Sequence, residues 1–210
     1  MKSCVIFAGG IIKDTGALDI EKIKSADYII CADRGYDYAR KIGVKPDLIV
    51  GDFDSYNGEL PKDTEIVRSV PEKDDTDTLL AVKRAISAGC DEITLYGGLG
   101  GRFDHAFANL QTIIYAHERG CKMTIADSDN ELTAGGAGEY HLEKRNGFYL
   151  SLFSLTENAM IDKLSGVKYP LEKYNMSQGF PIGVSNEITA DEAYLRISSG
   201  IVLVVYSAFT

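Results

Sequence analysis

Six aspartates stand just beyond apolar runs in the first half of the chain. They are Asp52 and Asp54 in Gly51-Asp52-Phe53-Asp54-Ser55, Asp74, Asp75 and Asp77 in Lys73-Asp74-Asp75-Thr76-Asp77, and Asp104 in Arg102-Phe103-Asp104-His105. Carboxylates brought together raise one another's pKa unless a cation sits among them. Oxygen-only ligands, with no His or Cys, suit a hard ion, Mg²⁺ above all. Such an ion keeps positions open for phosphate oxygens. Taken singly, each of these aspartates reads equally well as a helix cap or loop solvator. Gathered in one cleft they make a candidate metal site.

The second chemical signal is Gly97-Gly98-Leu99-Gly100-Gly101-Arg102-Phe103-Asp104-His105. Glycines let backbone N–H groups approach an anion, and a helix opening near Asp104 adds its positive end. Arg102 offers a forked contact to phosphate, and His105 lies close enough in sequence to touch the same site. A flexible loop would also account for the glycines alone. The common nucleotide fingerprints are absent: Gly-Lys never occurs, and Phe103 stands where a dinucleotide motif needs its third Gly. A calcium loop starting at Asp52 fails at Asn57 and Asp63, and Ser185 lacks the second Gly of a nucleophile elbow.

Short apolar runs position these residues: Cys4–Ala8, Tyr28–Ala32, Leu48–Val50, Ile66–Val70, Ile93–Tyr96 and Met123–Ala126. They read as strands buried on both faces of a parallel sheet. Thr76 or Asp75 caps a helix carrying Leu79, Leu80, Val82, Ala85 and Ile86, and Gly89 stops it. A second helix follows Asp104, with an apolar stripe of Ala106, Phe107, Leu110, Ile113 and Ile114, and ends at Gly120. Strand–helix alternation predicts an α/β layer over residues 1–127. Ligands of such sheets bind beyond the carboxyl ends of the strands, where all the motifs above fall. From residue 128 to 210 the pattern changes to period-two segments, Glu139–Glu143, Phe148–Leu155, Ala193–Ile197 and Ile201–Tyr206. These predict a small antiparallel β domain.

The 210 residues carry 22 Lys and Arg against 31 Asp and Glu, a net charge of −9, with no dense basic run. That balance excludes nucleic acid and anionic membrane as partners. No apolar stretch is long enough to span a membrane, and the first residues read as a strand rather than a signal peptide. The four cysteines are scattered with no CxxC pair, which predicts free buried thiols in a cytoplasmic protein. The residues alone reach a cytoplasmic α/β enzyme using Mg²⁺ and a phosphorylated substrate. Another Mg²⁺-dependent kinase or pyrophosphokinase of a small alcohol, and a non-catalytic nucleotide-binding module, remain alternatives.

Asp33-Arg34-Gly35, the segment from Pro46 to Ser55, Lys73 to Asp77 and Gly97 to His105, in that order, resemble the thiamine pyrophosphokinase family. Gly166 to Leu171 and Gly183 to Glu187 are similar to its thiamine-side segments. The resemblance spans nearly the whole chain. It implies a Rossmann-like N-terminal domain, a C-terminal β-sandwich that binds thiamine and dimerises, and a homodimer whose site is shared between chains. It implies attack of the thiamine hydroxyethyl oxygen on the β-phosphorus of ATP, releasing AMP. Metal-side residues carried over are Asp52, Asp54 and Asp77, with Asp74 and Asp75 as second choices. Arg102 and Lys73 neutralise phosphate charge, and Asp104 orients thiamine or its hydroxyl. Asp33, Arg34, Gly35, Lys73, Asp74, Thr76, Gly98, Gly100, Gly101, Arg102 and His105 fall on the ATP side. Tyr169, where some members carry Trp, and Ser185 and Asn186 fall on the thiamine side.

Overall fold

The computed structural model describes residues 1–53, 58–68 and 75–209. The chain divides into two compact units, Met1–Ser128 and Asp129–Thr210.

The first unit alternates strands and helices. In chain order these are β1 Ser3–Phe7, α1 Ile20–Lys24, β2 Tyr28–Ala32, α2 Gly35–Lys41, β3 Leu48–Gly51, β4 Glu65–Arg68, α3 Asp77–Ser87, β5 Glu92–Tyr96, α4 Phe103–His117 and β6 Lys122–Ala126. The strands lie in the order β6-β5-β1-β2-β3-β4, and every pair is parallel. Both faces of β1, β2, β3 and β5 are buried, which is why they read as unbroken apolar runs. Chain order reverses between β1 and β5, the switch point at which a doubly wound sheet opens a crevice.

Capping follows the side-chain chemistry. Thr76 Oγ1 accepts the Leu79 N–H at 3.1 Å and opens α3, and Gly89 and Gly120 leave the helical region with φ of +84° and +71°. One expectation needs correction. The buried face of α4 is Asn109, Thr112, Ile113 and Ala116, and Phe107 is 52% exposed. The helix is apolar over more than one stripe, so periodicity left its rotation open. Small polar side chains win the inner face because they find bonds there: Asn109 to the Gly98 carbonyl, Thr112 to the Ala108 carbonyl.

Gly35 shows how closely α2 seats on the sheet. A Cβ there would lie 1.9 Å from the Phe7 carbonyl oxygen. Gly35→Ala is therefore expected to cost about 1–3 kcal/mol, read as a fall of several degrees in Tm. An unchanged Tm would mean that α2 moves freely off β1.

The second unit is antiparallel: β7 Asn130–Gly135, β8 Gly138–Glu143, β9 Phe148–Ser154, β10 Asn158–Ser165, β11 Leu171–Ser177, β12 Gly183–Asn186, β13 Glu192–Ser199 and β14 Val202–Ala208. One layer runs β12-β9-β14-β7 and the other β11-β10-β13-β8. Alternate residues of each face inward. Leu150, Leu152, Val202 and Val204 share a core with Ala159, Ile161, Leu195 and Ile197, which makes the unit a two-layer sandwich. The four cysteines are free and buried, and burial pushes the Cys121 thiol up to about 11. No helix among the described residues is long and apolar enough to cross a membrane.

Candidate active site

A cavity of about 490 Å³ opens in the first unit where the strand order reverses. Asp33, Arg34, Thr76, Asp77, Gly98, Gly100, Gly101, Arg102 and His105 line it, all of them candidates from the sequence. Four segments supply them: the turn after β2, the capped start of α3, the glycine loop after β5 and the first turns of α4. The lining also includes Gly9, Gly10, Ile11 and Asn109, which sequence reasoning did not single out.

Gly9 and Gly10 follow β1 as Gly97 and Gly98 follow β5, and the two glycine turns interlock through their backbones. The Gly10 N–H donates to the Gly97 carbonyl at 3.1 Å and the Ile11 N–H to the Gly100 carbonyl at 3.2 Å. The fit leaves no room for side chains. A Cβ at Gly10 would meet the Gly97 oxygen at 2.3 Å, and one at Gly100 the Ile11 oxygen at 2.1 Å. The signal for the first turn was in the sequence: Gly-Gly directly after an apolar run, as at Gly97-Gly98.

Asp33 takes a left-handed backbone, φ +49°, at the end of β2, and its N–H donates to the Val50 carbonyl at 2.8 Å. Its carboxyl lies flat on β3: a Cβ at Gly51 would fall 2.1 Å from Asp33 Oδ1. Gly51 is thus the reason Asp33 can stand beside the strand end that carries Asp52. Asp52 is half-buried, and the next residue, Phe53, is also left-handed with φ +60°. Strained backbone concentrated at strand ends is a common mark of a built site.

Asp54, Lys73 and Asp74 lie outside the described residues. Asp52, Gly35 and Asp104 do not line the cavity. Asp75 is held by Lys83, whose Nζ reaches both carboxylate oxygens at 2.7 and 2.6 Å, so it anchors the turn into α3. Asp104 spends its carboxylate on the Arg102 fork, with Arg102 Nε at 3.1 Å from Oδ1 and a second, shorter bond to Oδ2. That bond holds the Asp104 carboxyl below the usual carboxylate range. Both side chains are largely exposed, so a phosphate can compete for the same fork.

Among the described residues no three His, Cys, Asp or Glu side chains form a metal-holding group. Asp33 and Asp77 in the cavity lining offer oxygen-only donors, and Asp52 follows β3 outside it. This fits a Mg²⁺ ion, which takes one or two carboxylates and completes its shell with phosphate and water.

The second unit holds a separate apolar slot of about 280 Å³. Leucines from β9 and β10, Leu171, Ile182 and Val184 wall it, and Tyr169 and Asn186 stand in the lining. Asn186 is buried and hydrogen-bonded through both ends of its amide. Its Oδ1 accepts the N–H groups of Tyr169 at 3.0 Å and Glu187 at 2.9 Å, and its Nδ2 donates to the Tyr169 carbonyl at 2.8 Å. It therefore fixes the backbone of Tyr169, whose ring stays 60% exposed. Ser185 is exposed and left-handed, φ +57°, with its N–H donated to Ser151 Oγ.

A family model described as "Thiamin pyrophosphokinase, catalytic domain" matches residues 21–125, and "Thiamin pyrophosphokinase, vitamin B1 binding domain" matches residues 139–202. The chain is 30% identical to the thiamine pyrophosphokinase of Bacillus subtilis over 219 residues, covering 99% of each chain. It is 28% identical to thiamin pyrophosphokinase 1 of Caenorhabditis elegans over 166 residues, 75% of this chain and 68% of the relative. The crystal structure of the Bacillus subtilis enzyme superposes with a TM-score of 0.88 at 26% identity, covering all of both chains. That of the Geobacillus thermodenitrificans enzyme gives 0.84 at 27%, covering 100% and 99%. With both domain models matched in order and a full-length relative at this identity, the chain belongs to the thiamine pyrophosphokinase family.

Proposed function

We propose that the glycine-walled cavity of the first unit holds the triphosphate of ATP and that the apolar slot of the second unit receives a ring of thiamine. The chain catalyses ATP-dependent pyrophosphoryl transfer to thiamine, giving thiamine diphosphate and AMP. The rival readings, another small-alcohol kinase or a non-catalytic module, are not favoured by the family match. One observation carries the ATP assignment: two interlocked glycine turns, two arginines and the start of α3 converge on one cavity at the switch point.

In this reading Arg34 and Arg102 neutralise the charge of the transferred group, with Arg102 exchanging Asp104 for a phosphate. Lys73, outside the described residues, belongs to the same set. Asp52, Asp54 and Asp77 would hold Mg²⁺, which supplies Lewis-acid neutralisation of the phosphate oxygens when bound. A primary alcohol is too weak an acid for a carboxylate to deprotonate fully, so positioning of the hydroxyl, to which Asp104 contributes once released, does most of the chemistry. Incubation with ATP, Mg²⁺ and thiamine, followed by separation of nucleotides, tests the reaction: AMP is expected, and ADP would overturn it.

The Tyr169 ring offers a face to thiamine. Lys168 Nζ lies 5.7 Å from the ring centre and is itself paired with Glu187 at 2.8 Å, so the local charge is balanced. Tyr169→Ala is expected to raise KM for thiamine about tenfold, the worth of a ring contact of about 1–2 kcal/mol, with KM for ATP unchanged. Asn186→Ala should move the same constant, because it frees the Tyr169 backbone. A rise in both KM values would make Tyr169 a packing residue.

A homodimer and a cytoplasmic setting complete the reading. Phe180, Ile182 and Val184 alternate, about half exposed, on and just before the edge strand β12, an arrangement that a second copy would cover. Four free buried thiols suit a reducing compartment.

A further inference from the structure

Asn109 is the one amide on the inner face of α4, and it is 5% exposed. An amide at such a position is costly unless it is bonded. It has a single partner among the described residues. Its Nδ2 donates to the Gly98 carbonyl at 2.8 Å, eleven residues back and in the middle of the glycine loop.

That bond completes a pattern. Three carbonyls of the loop are held by donors: Gly97 by the Gly10 N–H, Gly98 by Asn109 and Gly100 by the Ile11 N–H. Two of the donors are backbone and come from the other glycine turn. Only the middle peptide depends on a side chain. In a trans peptide the C=O and the following N–H point in opposite directions. Fixing the Gly98 carbonyl therefore fixes the Leu99 N–H, which no described backbone carbonyl accepts. Gly98 has no side chain of its own to hold that peptide, so the Asn109 amide holds it.

We propose that Asn109 is a positioning residue for pyrophosphoryl transfer: it ties the Gly98–Leu99 peptide to α4 and so holds the glycine loop in the shape that walls the cavity. This rests on the reading that the cavity holds ATP. Asn109 touches no reacting atom. It acts on ATP affinity through the loop and leaves the thiamine slot alone.

The test uses two variants of the full chain. Asn109→Asp keeps the shape, removes the donor and sets a carboxylate against the carbonyl. Asn109→Leu keeps an apolar helix face and removes the amide. For each, Tm, the Kd for α,β-methylene ATP with Mg²⁺, and KM for both substrates are measured, with Arg34→Ala and Arg102→Ala as companions. Loss of one buried hydrogen bond that orders the loop should raise the analogue Kd and KM for ATP about tenfold in both variants. KM for thiamine should hold, and Tm of Asn109→Leu should stay near the parent. If the arginine variants lose affinity while both Asn109 variants bind normally, the lock is overturned and the ATP site stands. If the Asn109 variants bind normally and the arginine variants do as well, the ATP assignment of the cavity falls with it. A fall in Tm with both KM values raised together would make Asn109 a packing residue and overturn the proposal.

Discussion

Asp52→Asn and Asp77→Asn will each cut kcat by about a hundredfold or more, with Asp54→Asn in the same series. The substitution keeps size and shape, removes the charge and replaces one acceptor oxygen with an NH2 donor. That charge has a function only if a cation or a cationic transition state is near it. Asp52 stands at the end of β3, whose glycine admits the Asp33 carboxyl, and Asp77 opens α3 on the cavity wall. Stability separates the two variants. Asp77 occupies the first turn of α3, where a negative charge is worth about 0.3–1 kcal/mol, so its Asn variant should melt slightly earlier. Asp52 has no helix start to support, so its Asn variant should melt near the parent. Raising the Mg²⁺ concentration should recover part of the lost rate. Near-normal turnover in all three variants would remove the metal assignment.

The parts of this fold that read clearly were those where one physical rule dominates. Strands buried on both faces must be apolar throughout, so β1, β2, β3, β5 and β6 stood out within a residue or two of their bounds. The Thr76 cap and the Gly89 and Gly120 stops follow from side-chain and backbone chemistry alone. Where two rules compete, the pattern blurred. The register of β10 shifts around Met160 to Lys163, which breaks its alternation, and β11 is an edge strand with Glu172, Lys173 and Asn175 along it. Neither was visible as a strand. The helix α2 is seven residues long with no side-chain cap, and so carried no start signal.

The site divides in the same way. Charged and glycine residues at strand ends were legible because ligands of open sheets gather there. Gly9-Gly10 obeys that rule and was passed over only because its neighbours carry no charge. Asn109 and the role of Asn186 could not be read at all. Each is a buried amide whose partner is a backbone group 11 or 17 residues away, and no local pattern encodes such a pairing.

Two impaired variants, mixed, should restore activity if the site is shared between two copies of the chain. Suppose the aspartates of one chain work with Tyr169 and Asn186 of its partner. One variant is Asp77→Asn; the other carries Tyr169→Ala with Asn186→Ala. In a mixed dimer one site collects both defects and the other collects neither. The intact site takes its Asp77 from the second variant and its Tyr169 from the first. Random assembly makes about half the dimers mixed, so about a quarter of all sites are intact under two-fold symmetry. Assayed at thiamine well below the parent KM, the two variants refolded together should therefore recover about a quarter of the parent activity, while Asp77→Asn alone gives about a hundredth and the double variant about a tenth. The recovered activity should also show the parent KM for thiamine, since the intact sites have both residues. If every site lies within one chain, each site in the mixture carries a defect and the activity stays at the mean of the two variants. That outcome would leave the pyrophosphoryl transfer in place and remove the shared site, because the chemistry at Asp77 does not depend on which chain delivers Tyr169.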